Sequence, residues 1–206
     1  MRFKPFYPIL DTEAAARRGI DPVAAAAKIL EAGARVLQFR HKGFFSREVF
    51  QQAREIAGLC RDAEALFVIN DRADIARLLG AALHLGQEDL SPSDARRVLG
   101  EGAVIGFSTH NEEQLRDAEN QPADYLALGP IFGTSSKLNH DPIVGLDELR
   151  RLRPLTARPV VAIGGITRAN AQSVLEAGAD SVAVIGDLFP EDGDIRSRVE
   201  EWLRIA

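Results

Sequence analysis

Cysteine is nearly absent from this sequence, since Cys60 is the one cysteine in a chain of 206 residues. A disulfide within the chain is therefore excluded, and a reducing compartment, the cytoplasm, is the location we expect. Cys60 falls within an apolar helical pattern that shows no activating base. The pattern indicates a buried core side chain rather than a reactive thiolate.

Long apolar runs and an excess of positive charge are also missing. No stretch reaches the roughly 18 consecutive apolar residues that a membrane-spanning helix needs. The first residues are interrupted by Pro5, Pro8 and Asp11, so we expect no signal peptide. The formal net charge is −5, from 25 basic and 30 acidic residues, whereas a nucleic-acid-binding surface needs clustered lysine and arginine. We therefore expect neither a membrane nor a nucleic acid as a partner.

What the sequence does contain is a regular alternation of short apolar runs with helical patterns. Eight runs are candidate strands, and a stretch that can form a helix follows each of them. Such alternation predicts βαβ units and a parallel sheet. The candidate strands are Phe6–Leu10, Val36–Phe39, Leu66–Ile69, Ala82–Leu85, Val104–Phe107, Tyr125–Leu128, Val160–Ile163 and Ser181–Ile185.

Capping residues mark the starts of several helices. Asp21–Pro22 and Ser91–Pro92 each combine an N-cap residue with a proline suited to the first helical position. Thr109 with Glu112 fits a capping box, and Thr167 is a candidate cap for a later helix. A weak repeat leads into some strands, as in EAGADSVAV and QPADYLAL. These signals support helices in the segments between the strands.

Eight repeated units are compatible with a closed barrel or with an open doubly wound sheet. The open nucleotide-binding fold carries the fingerprint GxGxxG directly after its first strand, but here Leu10 is followed by Asp11–Thr12–Glu13. No linker or low-complexity tract divides the chain. The sequence therefore predicts an α/β protein made of one (β/α)8 TIM barrel domain over residues 1–206.

Function in such a barrel is carried by the loops that follow the strands. After the second candidate strand, Gln38, Arg40 and Lys42 alternate along the chain and therefore share one face, which points into the barrel. Buried cations without partners are costly, so this set predicts an anionic ligand. The alternative is a barrel mouth closed by salt bridges.

Acidic side chains follow the third and fourth candidate strands. Asp71 and Asp89 can approach each other at the barrel rim and share Mg²⁺, which prefers oxygen ligands. The alternatives are that Asp71 caps the next helix and that Asp89 is a turn residue. His84, on the fourth strand, is expected to be a supporting histidine with satisfied hydrogen bonds rather than a catalytic base.

Candidate phosphate-binding groups follow the last three strands. The segment GPIFGTSSK, residues 129–137, offers hydroxyl groups and a lysine, and a polar surface loop is the alternative. Gly164–Gly165 follows the seventh strand and Gly186–Asp187 the eighth, where barrels commonly bind phosphate. Together with the set after the second strand, this arrangement predicts two sites that each bind an anionic group, which we call anionic stations. One suits a pyrophosphate (the diphosphate station) and the other a monophosphate (the monophosphate station).

Seven motifs, in order along nearly the whole chain, resemble those of the thiamine phosphate synthase family. They are QFRHK (38–42), INDRADIA (69–76), HLGQEDL (84–90), GFSTH (106–110), ADYLALGPIFGTSSK (123–137), PVVAIGGIT (159–167) and AGADSVAVI (177–185). The resemblance implies a transferase of thiamine biosynthesis. Its reaction joins hydroxymethylpyrimidine diphosphate to hydroxyethylthiazole phosphate and gives thiamine phosphate and pyrophosphate.

The resemblance also implies roles for the matched residues. Asp71 and Asp89 match the Mg²⁺ ligands of the family. Arg40, Lys42 and Lys137 are the candidate catalytic residues, because they would stabilise charge that grows on the departing pyrophosphate in a dissociative mechanism. The matched contacts for the pyrimidine diphosphate are Gln38, Arg40, Lys42, Asn70, Ser108 and Lys137. Those for the thiazole phosphate are Thr134, Ser135, Ser136, Gly165, Ile185 and Gly186. Phe39 and His41 of the first motif complete the candidate substrate-binding set.

Two substitutions depart from the family pattern. Gly186 stands where the family usually has serine, so a backbone N–H contact to phosphate is retained and a hydroxyl contact is lost. Ser136 replaces the usual threonine and keeps the hydroxyl group. Asp187, beside Gly186, is unusual near a phosphate, and we expect its carboxylate to point away from the ligand.

Two other functions compete with the synthase. A thiazole tautomerase relative shares several of these motifs on the same barrel, and a non-catalytic phosphate-binding barrel would not need two anionic stations. The tautomerase handles no diphosphate, whereas Gln38, Arg40, Lys42, Asp71 and Asp89 are all present here. We therefore expect the synthase, with small phosphorylated molecules as substrates, and the sequence leaves the oligomeric state open.

Overall fold

The computed structural model describes residues 4–133 and 142–205. Its strands are β1 Phe6–Asp11, β2 Val36–Arg40, β3 Leu66–Asn70, β4 Ala82–Leu85, β5 Ile105–Thr109, β6 Tyr125–Leu128, β7 Val160–Ile163 and β8 Ser181–Val184. They pair in parallel in chain order, and β8 pairs with β1, so the sheet closes into a barrel. The predicted (β/α)8 TIM barrel is confirmed.

The helices are α1 Thr12–Ala16, α2 Pro22–Glu31, α3 Arg47–Asp62, α4 Ala73–Leu79, α5 Pro92–Leu99, α6 Glu112–Glu119, α7 Gly145–Leu152, α8 Ala171–Glu176 and α9 Ile195–Ile205, with short 3-10 turns at Arg153–Leu155 and Gly186–Leu188. Two begin as predicted: the side chain of Asp21 accepts the backbone N–H of Ala24, and that of Ser91 accepts the N–H of Asp94. In the described part of the chain, no helix has the length and apolar character needed to cross a membrane.

Two of the predicted caps are wrong. Thr109 is the last residue of β5, and its hydroxyl donates to the carbonyl oxygen of Ala127 instead of capping a helix. Asn111 caps α6 in its place, because the chain needs two more residues to leave the barrel wall. Thr167 does not cap α8 either, since it donates its own backbone N–H to the side chain of Asn170.

The apolar residues form two layers because successive strand residues face opposite sides of the sheet. The outer layer packs the strands against the helices, and the Phe6 ring stacks on Trp202 of α9 with centroids 5.4 Å apart. Cys60 is buried in this outer layer, as predicted, and burial raises the pKa of its thiol to about 12. The inner layer fills the barrel and consists of Tyr7, Ile9, Val36, Val68, Ala82, Tyr125, Ala127, Val161 and Ala183.

Two segments of the weak sequence repeat each carry an aspartate that forms hydrogen bonds at the amino end of the barrel. Asp124 accepts hydrogen bonds from the first backbone N–H of β5, at 2.7 Å, and from Arg96, at 2.9 Å. Asp180 does the same with the first N–H of β7, at 2.8 Å, and with Arg153, at 3.1 Å. Each aspartate therefore ties the end of one strand to its neighbour. This end of the barrel is occupied by structural contacts, and the opposite end is open.

Candidate active site

The main cavity lies at the carboxyl ends of the strands and has a volume of about 380 Å³. Every one of the eight strands contributes at least one lining residue, which is the usual position for function in this fold. Ten residues predicted for the site line this cavity, namely Gln38, Arg40, Lys42, Asn70, Asp71, Asp89, Ser108, Gly165, Ile185 and Gly186. Four others, Thr134, Ser135, Ser136 and Lys137, lie outside the described residues.

Two candidate residues do not contribute their side chains to this cavity. Phe39 lies between Gln38 and Arg40 on β2, so it faces the opposite side of the sheet, where it is buried and meets Phe45 edge-on at 6.5 Å. His41 is held beside the rim by Thr12 Oγ1, 2.8 Å from its Nδ1. Neither residue therefore lines the cavity, and their place in the substrate-binding set stays a prediction.

The Arg40 guanidinium is fixed by an ion pair with Asp11. The two residues are direct partners in the register between β1 and β2, and the Asp11 carboxylate also accepts the Ala14 N–H at 2.7 Å as the N-cap of α1. Sequence analysis missed Asp11, although its place at the end of β1 was a usable signal. The alternative of a salt-bridged barrel mouth is thus partly realised, and the pairing also orients Arg40 along the cavity wall.

Asp71 stands at a strained position directly after β3. Its φ is 64°, a left-handed conformation that is uncommon for residues other than glycine, and its N–H donates to the His84 carbonyl at 2.8 Å. Its carboxylate does not cap α4, which has no side-chain cap, but lies 2.5 Å from Nζ of Lys42. The backbone therefore turns this carboxylate toward the cavity.

Asp71 and Asp89 lie side by side, as predicted. Burial raises the pKa of the Asp71 carboxyl above its usual range, Lys42 opposes that rise, and the adjacent Asp89 carboxylate adds to it. Asp89 also serves its turn, because Oδ2 accepts the Gly86 N–H at 2.7 Å. Two neighbouring carboxylates favour a proton or a cation between them.

This pair of carboxylates fits Mg²⁺ better than a metal that needs a full protein cage. Residues 4–133 and 142–205 contain no group of three or more histidine, cysteine, aspartate or glutamate side chains arranged to hold a metal ion. Mg²⁺ is commonly bound by one or two carboxylates together with waters and substrate phosphates. Asp71 and Asp89, which both line the cavity, would provide the two carboxylates of such a set.

A chain of hydrogen bonds crosses the floor of the cavity. Gln38 Nε2 donates to the Tyr7 hydroxyl at 3.0 Å, and the Tyr7 and Tyr125 hydroxyls are 2.8 Å apart. The Tyr125 hydroxyl is 3.1 Å from Nδ1 of His84, whose Nε2 is 2.9 Å from Ser108 Oγ. Burial raises the pKa of Tyr7 to about 12, so its hydroxyl stays protonated at neutral pH. The chain fixes Gln38 and Ser108 on opposite walls.

The floor confirms one expectation and reveals an omission. His84 is satisfied by two side-chain partners, as predicted for a supporting histidine. Tyr7 and Tyr125 were missed because a strand tyrosine resembles an apolar core residue in sequence. Their shared inward register with Gln38 was the signal that could have found them.

Asn70 presents an unused donor at the cavity wall. The side chain is buried, and Nδ2 has no hydrogen-bond partner among the described residues. Leaving a buried donor unpaired costs about 1–3 kcal/mol, which a ligand oxygen would relieve. Because Asn70 is adjacent to Asp71, that oxygen would lie at the diphosphate station.

The two glycines of the monophosphate station differ in whether their surroundings leave room for a side chain. Gly165 has φ 63°, and a Cβ added there would lie 2.5 Å from the Gly133 carbonyl oxygen, so close packing excludes any side chain. A Cβ at Gly186 would meet nothing within 4 Å. The carboxylate of Asp187, which borders the cavity, accepts hydrogen bonds from Arg168, Arg198 and Trp202, with Arg198 at 2.8 Å.

Comparison with known proteins places this geometry in a family. A family model described as thiamine monophosphate synthase matches residues 6–188. A thiamine-phosphate synthase of Koribacter versatilis is 50% identical over 181 residues, covering 87% of this chain and 84% of that protein. One from Haloarcula marismortui is 40% identical over 190 residues, covering 90% and 89%.

A solved structure agrees with the sequence relatives. Thiamine phosphate pyrophosphorylase from Pyrococcus furiosus is 33% identical, covers 97% of this chain and 94% of its own, and superposes with a TM-score of 0.86. The resemblance carried by the seven motifs is thereby confirmed, and with it the expectation of a transferase of thiamine biosynthesis. The chain belongs to the thiamine monophosphate synthase family.

Proposed function

We propose that this protein condenses 4-amino-2-methyl-5-hydroxymethylpyrimidine diphosphate with hydroxyethylthiazole phosphate to give thiamine phosphate and pyrophosphate. The observation that carries the proposal is the presence of both anionic stations in one cavity. Cations and paired carboxylates lie by β2 to β4, and the glycine turns lie after β7 and β8. A diphosphate donor and a monophosphate acceptor would therefore meet above the same floor.

The diphosphate station would hold the leaving group before the reaction begins. Arg40, already oriented by Asp11, and the half-exposed Lys42 would face the diphosphate oxygens. Asn70 would supply the unused amide donor. Charges fixed in advance need little reorganisation when negative charge develops, which is the main source of electrostatic catalysis.

Asp71 and Asp89 would hold Mg²⁺, which when bound supplies neutralisation of the diphosphate charge. Their proximity supports this role, because two adjacent carboxylates without a counter-charge repel each other. The Lys42 ammonium compensates one of them in the absence of a ligand.

The family resemblance implies a dissociative mechanism, and the residue types of the cavity suit it. The bond between the pyrimidine methylene carbon and oxygen breaks first, the electron pair leaves with pyrophosphate, and the aminopyrimidine stabilises the resulting cation. Arg40 and Lys42, with Lys137 outside the described residues, stabilise the growing charge on the leaving group. The thiazole nitrogen then attacks with its own lone pair, so no general base is required.

The monophosphate station would hold the acceptor with backbone groups. The turns at Gly165 and at Ile185–Gly186 line the cavity, and the absence of side chains at the glycines lets an oxyanion approach the peptide N–H groups. Thr134, Ser135 and Ser136 would add hydroxyl donors from beyond the described residues. The chain's single cysteine is in keeping with action in the cytoplasm.

The competing functions differ in what they need from the diphosphate station. A thiazole tautomerase or a phosphate-binding barrel needs neither a charged set for a diphosphate nor paired carboxylates. The test is to incubate the protein with the thiazole phosphate alone and then with both substrates and Mg²⁺, identifying products by mass spectrometry. We expect thiamine phosphate only in the complete mixture. Isomerised thiazole phosphate without thiamine phosphate would instead establish the tautomerase.

A further inference from the structure

A cluster of charged and aromatic side chains lies behind the Gly186–Leu188 turn and is centred on Asp187, which also borders the cavity. We define the Asp187 cluster as Asp187, Arg168, Arg198, Glu201 and Trp202. Asp187 Oδ2 accepts from Arg168 Nε at 3.0 Å and from Trp202 Nε1 at 2.9 Å. Its Oδ1 accepts from Arg198 Nη1 at 2.8 Å, and the same nitrogen donates to the Asp187 backbone carbonyl at 2.9 Å.

The centre of the cluster is partly buried, whereas Arg168 and Glu201 at its edge are 36% and 40% exposed. Trp202 is fully buried, and the side chains of Asp187 and Arg198 are 21% and 18% exposed. Glu201 pairs with both Arg168 and Arg198, so two carboxylates face two guanidinium groups. Partly buried, hydrogen-bonded charges of this kind are held more firmly than surface ion pairs, which contribute little.

The cluster joins the two loops that supply the monophosphate station. Arg168 lies in the loop after β7, three residues beyond Gly165, and Asp187 directly follows Gly186 after β8. Arg198 and Trp202 belong to α9, which packs behind both loops. Asp187 therefore ties the loop after β8 to the loop after β7 and to α9, and Glu201 adds a second tie between Arg168 and α9.

The Gly186–Leu188 turn needs such support because its cavity side carries no side chain. A Cβ at Gly186 would meet no atom within 4 Å among the described residues, so no packing contact supports the turn in front of Gly186. Leu188 is buried at the far end of the turn, and its N–H donates to the Ile185 carbonyl at 3.2 Å across it. An N–H group binds an oxyanion well only when its direction is fixed beforehand.

Building on the function proposed above, we infer that Asp187 is a positioning residue for the phosphate of the thiazole substrate. Through Arg168, Arg198 and Trp202 it holds the Gly165 and Gly186 loops at the separation that a phosphate group requires. A side chain at position 186 would help to fix the orientation of the turn from its cavity side. Asp187 supplies part of that constraint from behind the turn. The carboxylate itself does not touch the substrate.

A purely electrostatic role for Asp187 predicts the opposite result. Removing its negative charge leaves two arginines facing one glutamate close to the phosphate, which would strengthen anion binding. A positioning role predicts weaker binding, because the loops lose their common anchor. The direction of the change in the Michaelis constant, KM, therefore separates the two.

The experiment measures kcat and both KM values for Asp187→Asn, which keeps the size of the side chain and removes the charge. We expect KM for the thiazole phosphate to rise about tenfold, with kcat and KM for the pyrimidine diphosphate changed less than about twofold. Arg196→Ala is the matched control, because Arg196 also lies on α9 but forms an exposed pair with Glu200. That control is expected to match the wild-type protein.

Several results would overturn the inference. A lower or unchanged KM for the thiazole phosphate would do so, as would an equal rise for both substrates, which indicates general loosening of the barrel. If Asp187→Asn does not fold, Arg168→Gln serves instead, since it breaks the link between the loops and leaves Asp187 with Arg198 and Trp202; the same selective rise is expected. Failure of the wild-type protein to condense the substrates would count against the proposed function, whereas an active wild type with an unaffected variant counts against this inference alone.

Discussion

Nζ of Lys42 lies 2.5 Å from Oδ2 of Asp71, so an ion pair bridges the ends of β2 and β3 inside the cavity. The lysine side chain is half exposed and can move, whereas the aspartate is held by a left-handed backbone. We therefore expect the ammonium group to leave Asp71 when Mg²⁺ binds there and to turn toward the diphosphate. The pair keeps the carboxylate compensated until the substrate arrives.

Asp89→Asn is expected to weaken Mg²⁺ binding without unfolding the barrel. The amide oxygen can still accept the Gly86 N–H, but the charge that holds the cation is gone. We predict that turnover at limiting Mg²⁺ falls by about tenfold or more and that excess Mg²⁺ restores part of it. Asp147→Ala, at a fully exposed carboxylate on α7, is the control. Unchanged activity at limiting Mg²⁺ would refute the ligand role of Asp89.

Tyr7→Phe is expected to damage the floor of the cavity. The substitution removes the hydroxyl that accepts from Gln38 and bonds to Tyr125, both in buried surroundings. We predict a loss of about 1–3 kcal/mol in the free energy of unfolding, together with a lower kcat/KM for the pyrimidine substrate. Denaturant unfolding and steady-state kinetics measure the two effects. A variant as stable and active as the parent would show that these buried hydrogen bonds contribute little to stability or activity.

The two station glycines are expected to respond differently to the same change. Gly165→Ala places a Cβ 2.5 Å from a carbonyl oxygen at a positive φ, so we predict a loss of about 1–3 kcal/mol in stability. Gly186→Ala should fold normally, because its Cβ enters open space. Thermal unfolding of the two variants provides the comparison. Equal destabilisation would contradict the packing described for these loops.

Gly186→Ser is expected to improve binding of the thiazole phosphate. The side chain has room, and its hydroxyl would add a donor at a position where glycine offers no side-chain group. We predict a lower KM for the thiazole phosphate and an unchanged KM for the pyrimidine diphosphate. Gly186→Ala, which adds bulk without a donor, is the matched control. A large increase in KM for the thiazole phosphate in Gly186→Ser would mean that the phosphate binds elsewhere.

Cys60 is expected to resist thiol reagents in the native protein. The side chain is buried, and burial raises the pKa of its thiol to about 12, so almost no thiolate exists at pH 8. Reaction with a chromogenic disulfide reagent should appear only as denaturant unfolds the chain. Rapid reaction in buffer alone would mean that α3 opens readily.

Strand positions and much of the cavity could be predicted from sequence because they depend on local patterns. Gln38, Arg40 and Lys42 were placed by alternation alone, and Asp71 and Asp89 by their position after strands. The same alternation places Phe39 on the outer face of the sheet. The pattern alone therefore did not support its inclusion in the substrate-binding set.

What could not be predicted depends on partners far apart in the chain. Tyr7 and Tyr125 meet across 118 positions, and their contact requires the barrel to close. Asp187 finds its partners on α9 and on the preceding loop, which no local motif specifies. The cap at Thr109 failed for a related reason, since pairing with β6 extends β5 to that residue.

Pyrophosphate release with both substrates present tests the central claim most directly. The account predicts that the pyrimidine diphosphate, the thiazole phosphate and Mg²⁺ together give one pyrophosphate for each thiamine phosphate. Omitting Mg²⁺ or the pyrimidine diphosphate should abolish release, and omitting the thiazole phosphate should abolish the formation of thiamine phosphate. Absence of release from the complete mixture, while the thiazole phosphate binds or isomerises, would contradict a cavity in which both stations serve one reaction.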